Sequence, residues 1–296
     1  MGLHHCFSLE LVKLKIFKKS KTRTMNIIKK TAIFAHLALI SITVTAQDKL
    51  IIKGSDTLGA KMIPKIAEAY ENKNPGTKFE IAAEGSSTGI AAIIDGTAHI
   101  GMSSRELKGK EKASAGANGV RLVKTVIAND AVAIIANASN PIGDLSAKDI
   151  ERIFTGDITN WSAVGGKSGK ISAYTRNTSS GTYAFFQKSA MAGRDYGSST
   201  QKMAGNEQIA TEVSKNPNGI GYVGLAYVGA KGIKIVSIDK VMPTPATAND
   251  GSYKLARGLN CFTNGKPTGV AKKFLDFSLT AEGQKIVGST GFVPVK

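Results

Sequence analysis

The chain has 296 residues, and its 39 lysines and arginines against 22 aspartates and glutamates give a formal net charge of +17 at pH 7. This charge favours an anionic partner, but the lysines are scattered and no zinc-finger or RNA-binding signature is present, which argues for a small anion and against nucleic acid. One of the four histidines and one of the two cysteines lie beyond residue 46, which is too few for the ligand set of a zinc site, and we expect neither a metal nor another cofactor.

Residues 1–46 are predicted to be absent from the mature protein. Residues 1–24 are basic with little apolar periodicity, and we interpret them as an extension ahead of the true start. From Met25, a short basic segment leads into the apolar run 32–44, and small residues precede a cleavage position before Gln47. This order is typical of a secretory signal peptide, and since no cysteine lies near the cleavage position, we expect no lipid anchor.

Processing at this position changes both the charge and the cysteine content. It removes eight basic residues and one acidic residue, which leaves 31 basic and 21 acidic residues and a formal charge of +10. Cys261 is the cysteine that remains, so we expect a buried apolar thiol in a strand and no intramolecular disulfide. At about 250 residues, the mature chain can still bury a sufficient core, most simply as two lobes.

The mature chain opens with strand–turn–helix units whose turns are rich in glycine and hydroxyl residues. The predicted strands are 49–53, 78–83 and 98–102, and the predicted helices after them are 58–72, 90–95 and 106–115. The turns are Gly54-Ser55-Asp56-Thr57, Gly85-Ser86-Ser87-Thr88-Gly89 and Ser103-Ser104-Arg105. The first N–H groups of a helix have no internal partner and the helix dipole is positive there, so such turns favour anions.

A later unit repeats this pattern and adds a cation. The strand-like residues 170–174 lead into Arg176-Asn177-Thr178-Ser179-Ser180-Gly181-Thr182, and a helix is expected from Tyr183. Ser180 and Thr182 supply hydroxyl donors, Gly181 permits a close backbone approach, and the planar guanidinium of Arg176 suits two oxygens at once. Ligands of open α/β sheets bind at the carboxyl ends of strands, so we expect the three turns at 54–57, 85–89 and 176–182 to converge on one tetrahedral oxyanion.

The rest of the chain is predicted to cross between two lobes and return. Residues 120–137 give nearly continuous strand signal with a break at Asn129-Asp130, and the strand-like stretch 253–262 suits the return crossing. Further predictions are helices over 146–154, 206–214, 269–279 and 281–287, strands over 219–223 and 233–238, a loop around the packing residue Trp161 and a loop over 243–251. Alternating strands and helices imply an α/β fold with mixed, mostly parallel sheets.

The second turn also matches a catalytic motif. Gly85-Ser86-Ser87-Thr88-Gly89 fits the G-x-S-x-G elbow of serine hydrolases, with Ser87 as the nucleophile. Such an enzyme needs a histidine after the serine, and the chain offers only His99, in the next strand unit. We therefore expect a binding protein and not an enzyme, with an exported serine hydrolase as the alternative.

The motifs and their order along the chain resemble those of one family. The ordered features are a signal peptide, Gly-Ser-Asp-Thr (54–57), Gly-Ser-Ser-Thr-Gly (85–89), Ile-Gly-Met-Ser-Ser-Arg (100–105), Ile-Phe-Thr-Gly-Asp-Ile-Thr-Asn-Trp (153–161), Arg-x-x-x-Ser-Gly-Thr (176–182) and Gly-Ile-Gly-Tyr-Val (219–223). They are similar to those of the periplasmic phosphate-binding proteins of phosphate ABC importers, over essentially all of 49–296. The resemblance implies a type II periplasmic-binding fold, in which two α/β lobes are joined by two crossing strands and phosphate lies in the cleft.

The resemblance also implies domains and partners. Lobe 1 would comprise residues 47–127 and 263–296, and lobe 2 residues 128–262. The protein would be a periplasmic monomer that delivers inorganic phosphate to an ABC permease in the inner membrane. Alternatives within the same fold are another tetrahedral oxyanion (sulfate, molybdate or tungstate) and a role as a phosphate sensor.

Carried over residue by residue, the resemblance assigns the phosphate site. Thr57 and Leu58 would contribute a hydroxyl and a backbone N–H. Some family members have an aspartate where this chain has Ser104, and it accepts the proton of the bound phosphate; here we expect Arg105 as a second cationic clamp and Asp56 as the proton acceptor. The full expected site is Ser55, Asp56, Thr57, Leu58, Ser86, Ser87, Ser104, Arg105, Arg176, Ser180, Gly181 and Thr182.

Overall fold

A mixed β-sheet organises residues 48–295, the part of the chain that the computed structural model describes. Its strands are β1 Asp48–Gly54, β2 Thr77–Ala82, β3 Ile100–Ser103, β4 Leu122–Asn137, β5 Asp144–Leu145, β6 Ser172–Arg176, β7 Gln201–Met203, β8 Gly219–Gly224, β9 Ile233–Ile238 and β10 Ala256–Asn264. The predicted extension and signal peptide lie outside the described residues. None of the helices described is both long and apolar enough to cross a membrane.

Helices follow most of the strands, as the alternating pattern predicts. They are α1 Asp56–Gly59, α2 Met62–Lys73, α3 Ser86–Ile94, α4 Gly109–Ala117, α5 Ala147–Thr155, α6 Gly181–Ala190, α7 Asn206–Lys215, α8 Pro245–Asn249, α9 Gly269–Ser278 and α10 Ala281–Ser289. Two short 3₁₀ helices cover Trp161–Val164 and Leu225–Tyr227. The helix predicted over 58–72 is therefore divided into α1 and α2.

Local capping signals set the ends of several helices. Ser146, the first residue of the helix predicted over 146–154, caps α5, because its hydroxyl accepts from Asp149 N at 3.0 Å. The prediction for α4 was three residues early, since Lys108 N donates to the Glu111 carboxylate at 2.8 Å and the helix begins only after this cap. The predicted loop 243–251 was wrong, because Thr244 accepts from Thr247 N at 3.1 Å and starts α8.

The sheet is parallel towards its two ends and antiparallel in its centre. The strand order is β2-β1-β3-β10-β4-β8-β6-β7, and β9 pairs with both β4 and β5. The pairings β1–β2, β1–β3, β6–β7, β6–β8 and β5–β9 are parallel, whereas every pairing of β4 and β10 is antiparallel. The predicted mixed, mostly parallel α/β fold is confirmed.

The long central strand β4 connects the two ends of the sheet. Its first part pairs with β10, and its second part, from Val132, pairs with β8 and β9. The break predicted at Asn129-Asp130 was wrong, because Gly258 and Arg257 of β10 pair with these two residues and keep the strand continuous. The return stretch enters β10 only at Ala256, since Ala256 N donates to Tyr253 O in a turn before the strand.

Two hydrophobic clusters fill the space between the sheet and its helices. The first packs between the sheet and helices α2, α7, α9 and α10, and it includes Ile66, Phe274 and Ile209. The second lies between the β4–β8 region and helices α5 and α6, and it includes Phe154 and Trp161. The predicted packing role of Trp161 is confirmed. Helices α1, α3 and α6 begin after the carboxyl ends of β1, β2 and β6, where the hydroxyl-rich turns lie.

Candidate functional site

Four hydroxyl groups from separate turns meet at the carboxyl ends of the strands. Thr57 Oγ1 lies 3.0 Å from Thr182 Oγ1, and Ser104 Oγ lies 3.5 Å from both Thr182 Oγ1 and Ser86 Oγ. All four side chains are buried. We call Thr57, Ser86, Ser104 and Thr182 the hydroxyl cluster. Because each hydroxyl can donate and accept, the cluster suits an anion with several oxygens.

The turns at 85–89 and 176–182 are hydrogen-bonded to each other. Ser87 N donates to Ser179 O at 3.0 Å, and Ser179 Oγ donates to Glu84 O at 2.9 Å. Gly85 has φ +131°, and a Cβ there would lie 2.5 Å from Ser179 Oγ. The absence of a side chain at Gly85 therefore permits the two turns to come this close.

Gly181 and Ser180 position the start of α6 against the hydroxyl cluster. Ser180 is the N-cap of the helix and accepts from Tyr183 N at 3.3 Å. A Cβ on Gly181 would overlap Ser86 Oγ and lie 2.7 Å from Ser104 Oγ. Only glycine at this position lets the first turn of α6 meet the other two turns.

The Arg176 guanidinium lies buried at the end of β6 and is only partly satisfied. Its Nη2 donates to Ala204 O at 2.7 Å, and Nη1 lies 3.2 Å from Asp56 Oδ2 without the alignment of a hydrogen bond. Nε and Nη1 have no hydrogen-bond partner among residues 48–295. Burial lowers the pKa of Arg176, and the charge of Asp56 opposes that effect. The side chain retains donors that an anion can accept from.

Asn206 holds the Asp56 carboxylate beside Arg176. The backbone N and Nδ2 of Asn206 donate to Asp56 Oδ2 at 3.1 and 2.7 Å, and Nδ2 lies 3.4 Å from Thr57 Oγ1. Asn206 is fully buried at the start of α7. The sequence predictions did not include Asn206, although its place at a helix start after a strand is the signal used elsewhere in the chain.

Arg105 is held by a carboxylate and points towards the second turn. Its Nη1 and Nη2 form a bidentate pair with Glu111 at 2.8 and 2.6 Å, and Nη2 also donates to Ser87 Oγ at 3.0 Å. Its Nε is buried and lacks a hydrogen-bond partner in the described region. Two of its nitrogens are thus already engaged, and Glu111 is a partner that the sequence predictions missed.

Another ion pair absent from the predictions joins the two central strands. Arg257 of β10 donates from Nη2 to Asp130 Oδ2 of β4 at 2.9 Å and from Nε to the same oxygen at 3.2 Å. Nη2 also donates to Thr182 Oγ1 at 3.0 Å. Asp130 is the residue that suggested a break in the strand, so an acidic residue within an apolar run was the available signal.

The remaining predicted residues lie at the same place but contribute differently. Ser55 is buried between β1 and α1, and its N–H donates to Met102 O at 3.0 Å. The Leu58 side chain belongs to the hydrophobic core, which leaves only its backbone for a ligand. Together with the contacts above, the structure places all twelve predicted residues at the carboxyl ends of β1, β2, β3 and β6.

The arrangement required of a serine hydrolase is not present in the described part of the chain. His99 lies just before β3, and its Nδ1 accepts from Ile51 N at 2.9 Å. Ser104 of the hydroxyl cluster lies just beyond the opposite end of that strand. Ser87 instead accepts a hydrogen bond from Arg105, so its hydroxyl has no adjacent imidazole base.

Comparison with known proteins shows one consistent group of relatives. Residues 41–282 match the family model described as a PBP superfamily domain. The "Phosphate-binding protein PstS" of Bacillus subtilis is 32% identical over 251 residues, covering 84% of this chain and 82% of the relative. The protein of the same name from Borreliella burgdorferi is 30% identical, covering 84% of this chain and 91% of the relative.

The similar solved structures also include proteins of phosphate ABC transport. A phosphate ABC transporter substrate-binding protein from Clostridium perfringens, solved with bound phosphate, has a TM-score of 0.77 and 35% identity and covers 84% of this chain and 100% of its own. An ABC-type phosphate transport receptor from Vibrio cholerae has a TM-score of 0.69 and 27% identity and covers 82% and 99% of the two chains. The match extends over nearly all of the described residues.

Proposed function

The chain belongs to the PBP superfamily and to the family of phosphate-binding proteins PstS, and from this premise we propose that it captures inorganic phosphate between two lobes and delivers it to an ABC import permease. Its fold is the two-lobed periplasmic-binding fold, with lobe 1 proposed as residues 47–127 and 263–296 and lobe 2 as residues 128–262. In this proposal the protein is exported to the periplasm and carries no lipid anchor. It is a monomer and performs no covalent chemistry.

The observation that carries the proposal is the meeting of buried hydroxyls with unsatisfied guanidinium donors. Arg176, whose Nε and Nη1 have no hydrogen-bond partners within 48–295, has Nη1 3.2 Å from Oδ2 of Asp56, the residue directly before Thr57 of the hydroxyl cluster. Buried polar atoms are nearly always satisfied in folded proteins, so such donors indicate a group that binds there. A tetrahedral oxyanion supplies acceptors in the directions of both the hydroxyls and the guanidinium.

Capture follows from contacts made by both lobes. The turns at 54–57 and 85–89 present hydroxyls and helix N-termini from one lobe, and Arg176 with residues 180–182 closes over the anion from the other. Each hydrogen bond to the charged ligand contributes about 1.5–3 kcal/mol. Several of them, after desolvation and closure costs, suffice for micromolar binding, which corresponds to about −8 kcal/mol.

We assign Asp56 as the acceptor of the phosphate proton, which would give selectivity over sulfate. Its carboxylate lies beside Arg176 and Asn206 at the edge of the hydroxyl cluster. Sulfate has no proton to donate at neutral pH, and a site that needs such a hydrogen bond rejects the analogue by about 10⁴-fold or more. Asp56→Asn should therefore lower phosphate affinity while leaving sulfate affinity unchanged or increased.

Calorimetric titration with phosphate, sulfate and molybdate, at two pH values, tests the proposed function. We expect saturable phosphate binding that exceeds binding of the other two anions at both pH values. Tight binding of sulfate or molybdate without phosphate binding would assign the site to another oxyanion. Complete lack of binding by all three would reject an oxyanion function altogether.

A further inference from the structure

The Arg257–Asp130 pair lies where the two central strands pass the hydroxyl cluster. β4 and β10 pair antiparallel with Arg257 directly opposite Asp130. The Arg257 side chain is 3% exposed and the Asp130 side chain is fully buried, so both charges are removed from solvent. Such a pair is expensive to bury, and replacing it with apolar residues is often neutral or stabilising. Its presence beside the site therefore calls for a role other than stability.

Two nitrogens of the Arg257 guanidinium already donate hydrogen bonds, and the third does not. Nε and Nη2 donate to Asp130 Oδ2, and Nη2 also donates to Thr182 Oγ1 at 3.0 Å. Nη1 is buried and has no hydrogen-bond partner anywhere in 48–295. The contact with Thr182 joins this guanidinium directly to the hydroxyl cluster, so the unsatisfied donor lies close to the place where an anion would bind.

The charges around Arg257 also favour an anion beside its guanidinium. Burial lowers the pKa of Arg257, Asp130 opposes that effect, and the neighbouring charge of Arg176 lowers the pKa further. Two buried arginines with unsatisfied donors therefore repel each other near one cluster of hydroxyls. An anion that accepts hydrogen bonds from both guanidinium groups would satisfy the donors and remove the repulsion.

We infer that Arg257 is a further anion-binding residue, which Asp130 orients from the central strand β4 so that Nη1 donates to the bound oxyanion alongside Arg176. This inference rests on the proposed oxyanion function and extends it. It places a ligand contact on the strands that connect the two lobes, whereas the other predicted contacts come from the turns and from the end of β6. Asp130 acts as a positioning residue, because its carboxylate holds the Arg257 guanidinium and does not contact the anion.

The first test compares two arginine-to-lysine variants by phosphate calorimetry. Arg257→Lys keeps a positive charge opposite Asp130 but removes Nη1, and we expect phosphate affinity to fall about 10- to 100-fold, the range for one hydrogen bond to a charged group. Arg194→Lys is the matched control, because Arg194 also forms a bidentate pair, with Asp157, but is 45% exposed on the surface. The control should retain wild-type affinity.

A double-mutant cycle with Thr182→Ala separates direct contact from an effect through Thr182. If Nη1 contacts the anion, Arg257→Lys lowers affinity by a similar factor with and without the Thr182 hydroxyl. An effect that vanishes in the Thr182→Ala background would show that Arg257 acts only through Thr182 and would overturn the inference. Should Arg257→Lys fail to fold, Arg257→Gln with Asp130→Asn removes both charges together, and wild-type affinity in this variant would overturn it equally.

Two further outcomes separate this inference from the proposed function. Wild-type protein that binds phosphate, together with an Arg257→Lys variant of equal affinity, rejects the role of Arg257 and leaves the proposed function standing. Wild-type protein that binds no oxyanion rejects both. A crystal structure of the phosphate complex gives the direct answer, since Nη1 farther than about 3.5 Å from every phosphate oxygen would exclude the hydrogen bond.

Discussion

Thr57 and Thr182 are 125 residues apart in the chain, and their hydroxyl oxygens lie 3.0 Å from each other. Thr57 lies in α1 just after β1, and Thr182 lies in the first turn of α6, so this contact joins the parts of the sheet on either side of β4 and β10. Both groups can donate or accept, and each can turn towards a ligand. The contact therefore places side by side two hydroxyl groups that can bind an anion, one from each part of the sheet.

Gly181→Ala should weaken phosphate binding without unfolding the protein. A Cβ at this position would overlap Ser86 Oγ, so the first turn of α6 must move away from the hydroxyl cluster. We expect the overpacking to cost about 1–3 kcal/mol of folding stability, and phosphate affinity to fall because the first turn of α6 no longer meets the other turns. Calorimetry measures the affinity, and thermal unfolding without ligand monitors the fold.

Gly116→Ala is the control for that substitution. Gly116 lies in α4, and a Cβ there would meet no atom within 4 Å. Alanine in an open helical position should stabilise the protein by up to about 1 kcal/mol and leave phosphate affinity unchanged. If Gly181→Ala and Gly116→Ala bound phosphate equally well, the close approach at Gly181 would have no part in binding.

Arg176→Ala should reduce phosphate affinity more than any other single change in the site. The substitution removes the unsatisfied donors and leaves Asp56 without its cation, which we expect to cost about 2–5 kcal/mol of binding free energy. Calorimetric titration of Arg176→Ala and of the surface variant Arg194→Ala measures the difference. Equal affinity in the two variants would place the anion elsewhere.

Glu111→Gln should destabilise the protein in a pH-dependent manner. Burial alone would raise the pKa of Glu111, but hydrogen bonds from Arg105 and Lys108 N lower it below its ordinary value. A depressed pKa contributes stability that is complete above the unfolded-state value and is lost as the pH falls through the folded-state value. We expect a cost of about 3–5 kcal/mol at pH 7, because Arg105 loses its buried partner.

Urea unfolding at neutral and acidic pH measures this effect. The difference in the free energy of unfolding between wild type and Glu111→Gln should shrink as the pH falls below the ordinary range of a glutamate. A difference that stays constant between pH 7 and strongly acidic pH would show that the charge of Glu111 does not stabilise Arg105.

Cys261 should resist alkylation in the folded protein. The thiol is fully buried in β10, and burial raises its pKa to about 12. Because the thiolate is the reactive form, neither access nor ionisation permits reaction at neutral pH. Iodoacetamide labelling followed by peptide mass spectrometry should detect modification of Cys261 only in denaturant. Rapid labelling of the native protein would contradict its burial.

The placement of the strand ends and turns was readable from the sequence because the signals are local. Ser146 predicts the start of α5 through its own hydroxyl, and the turns 54–57 and 85–89 follow apolar strands directly. A hydroxyl there hydrogen-bonds to backbone groups a few residues away, and a glycine permits the local turn. Both signals can therefore be recognised without knowledge of any distant contact. The mixed, mostly parallel α/β fold follows from the same alternation.

Which residues form the buried ion pairs could be learned only from the tertiary structure. Arg257 faces Asp130 only because β10 pairs antiparallel with β4 in one register, and a one-residue shift would turn the two side chains apart. Strand pairing between residues 127 positions apart leaves no local trace, so Asp130 resembled a strand break. Sequence determined which residues end the strands and begin the helices, and only the packed sheet decided which charges share the site, because electrostatic contacts depend on distance in space and not along the chain.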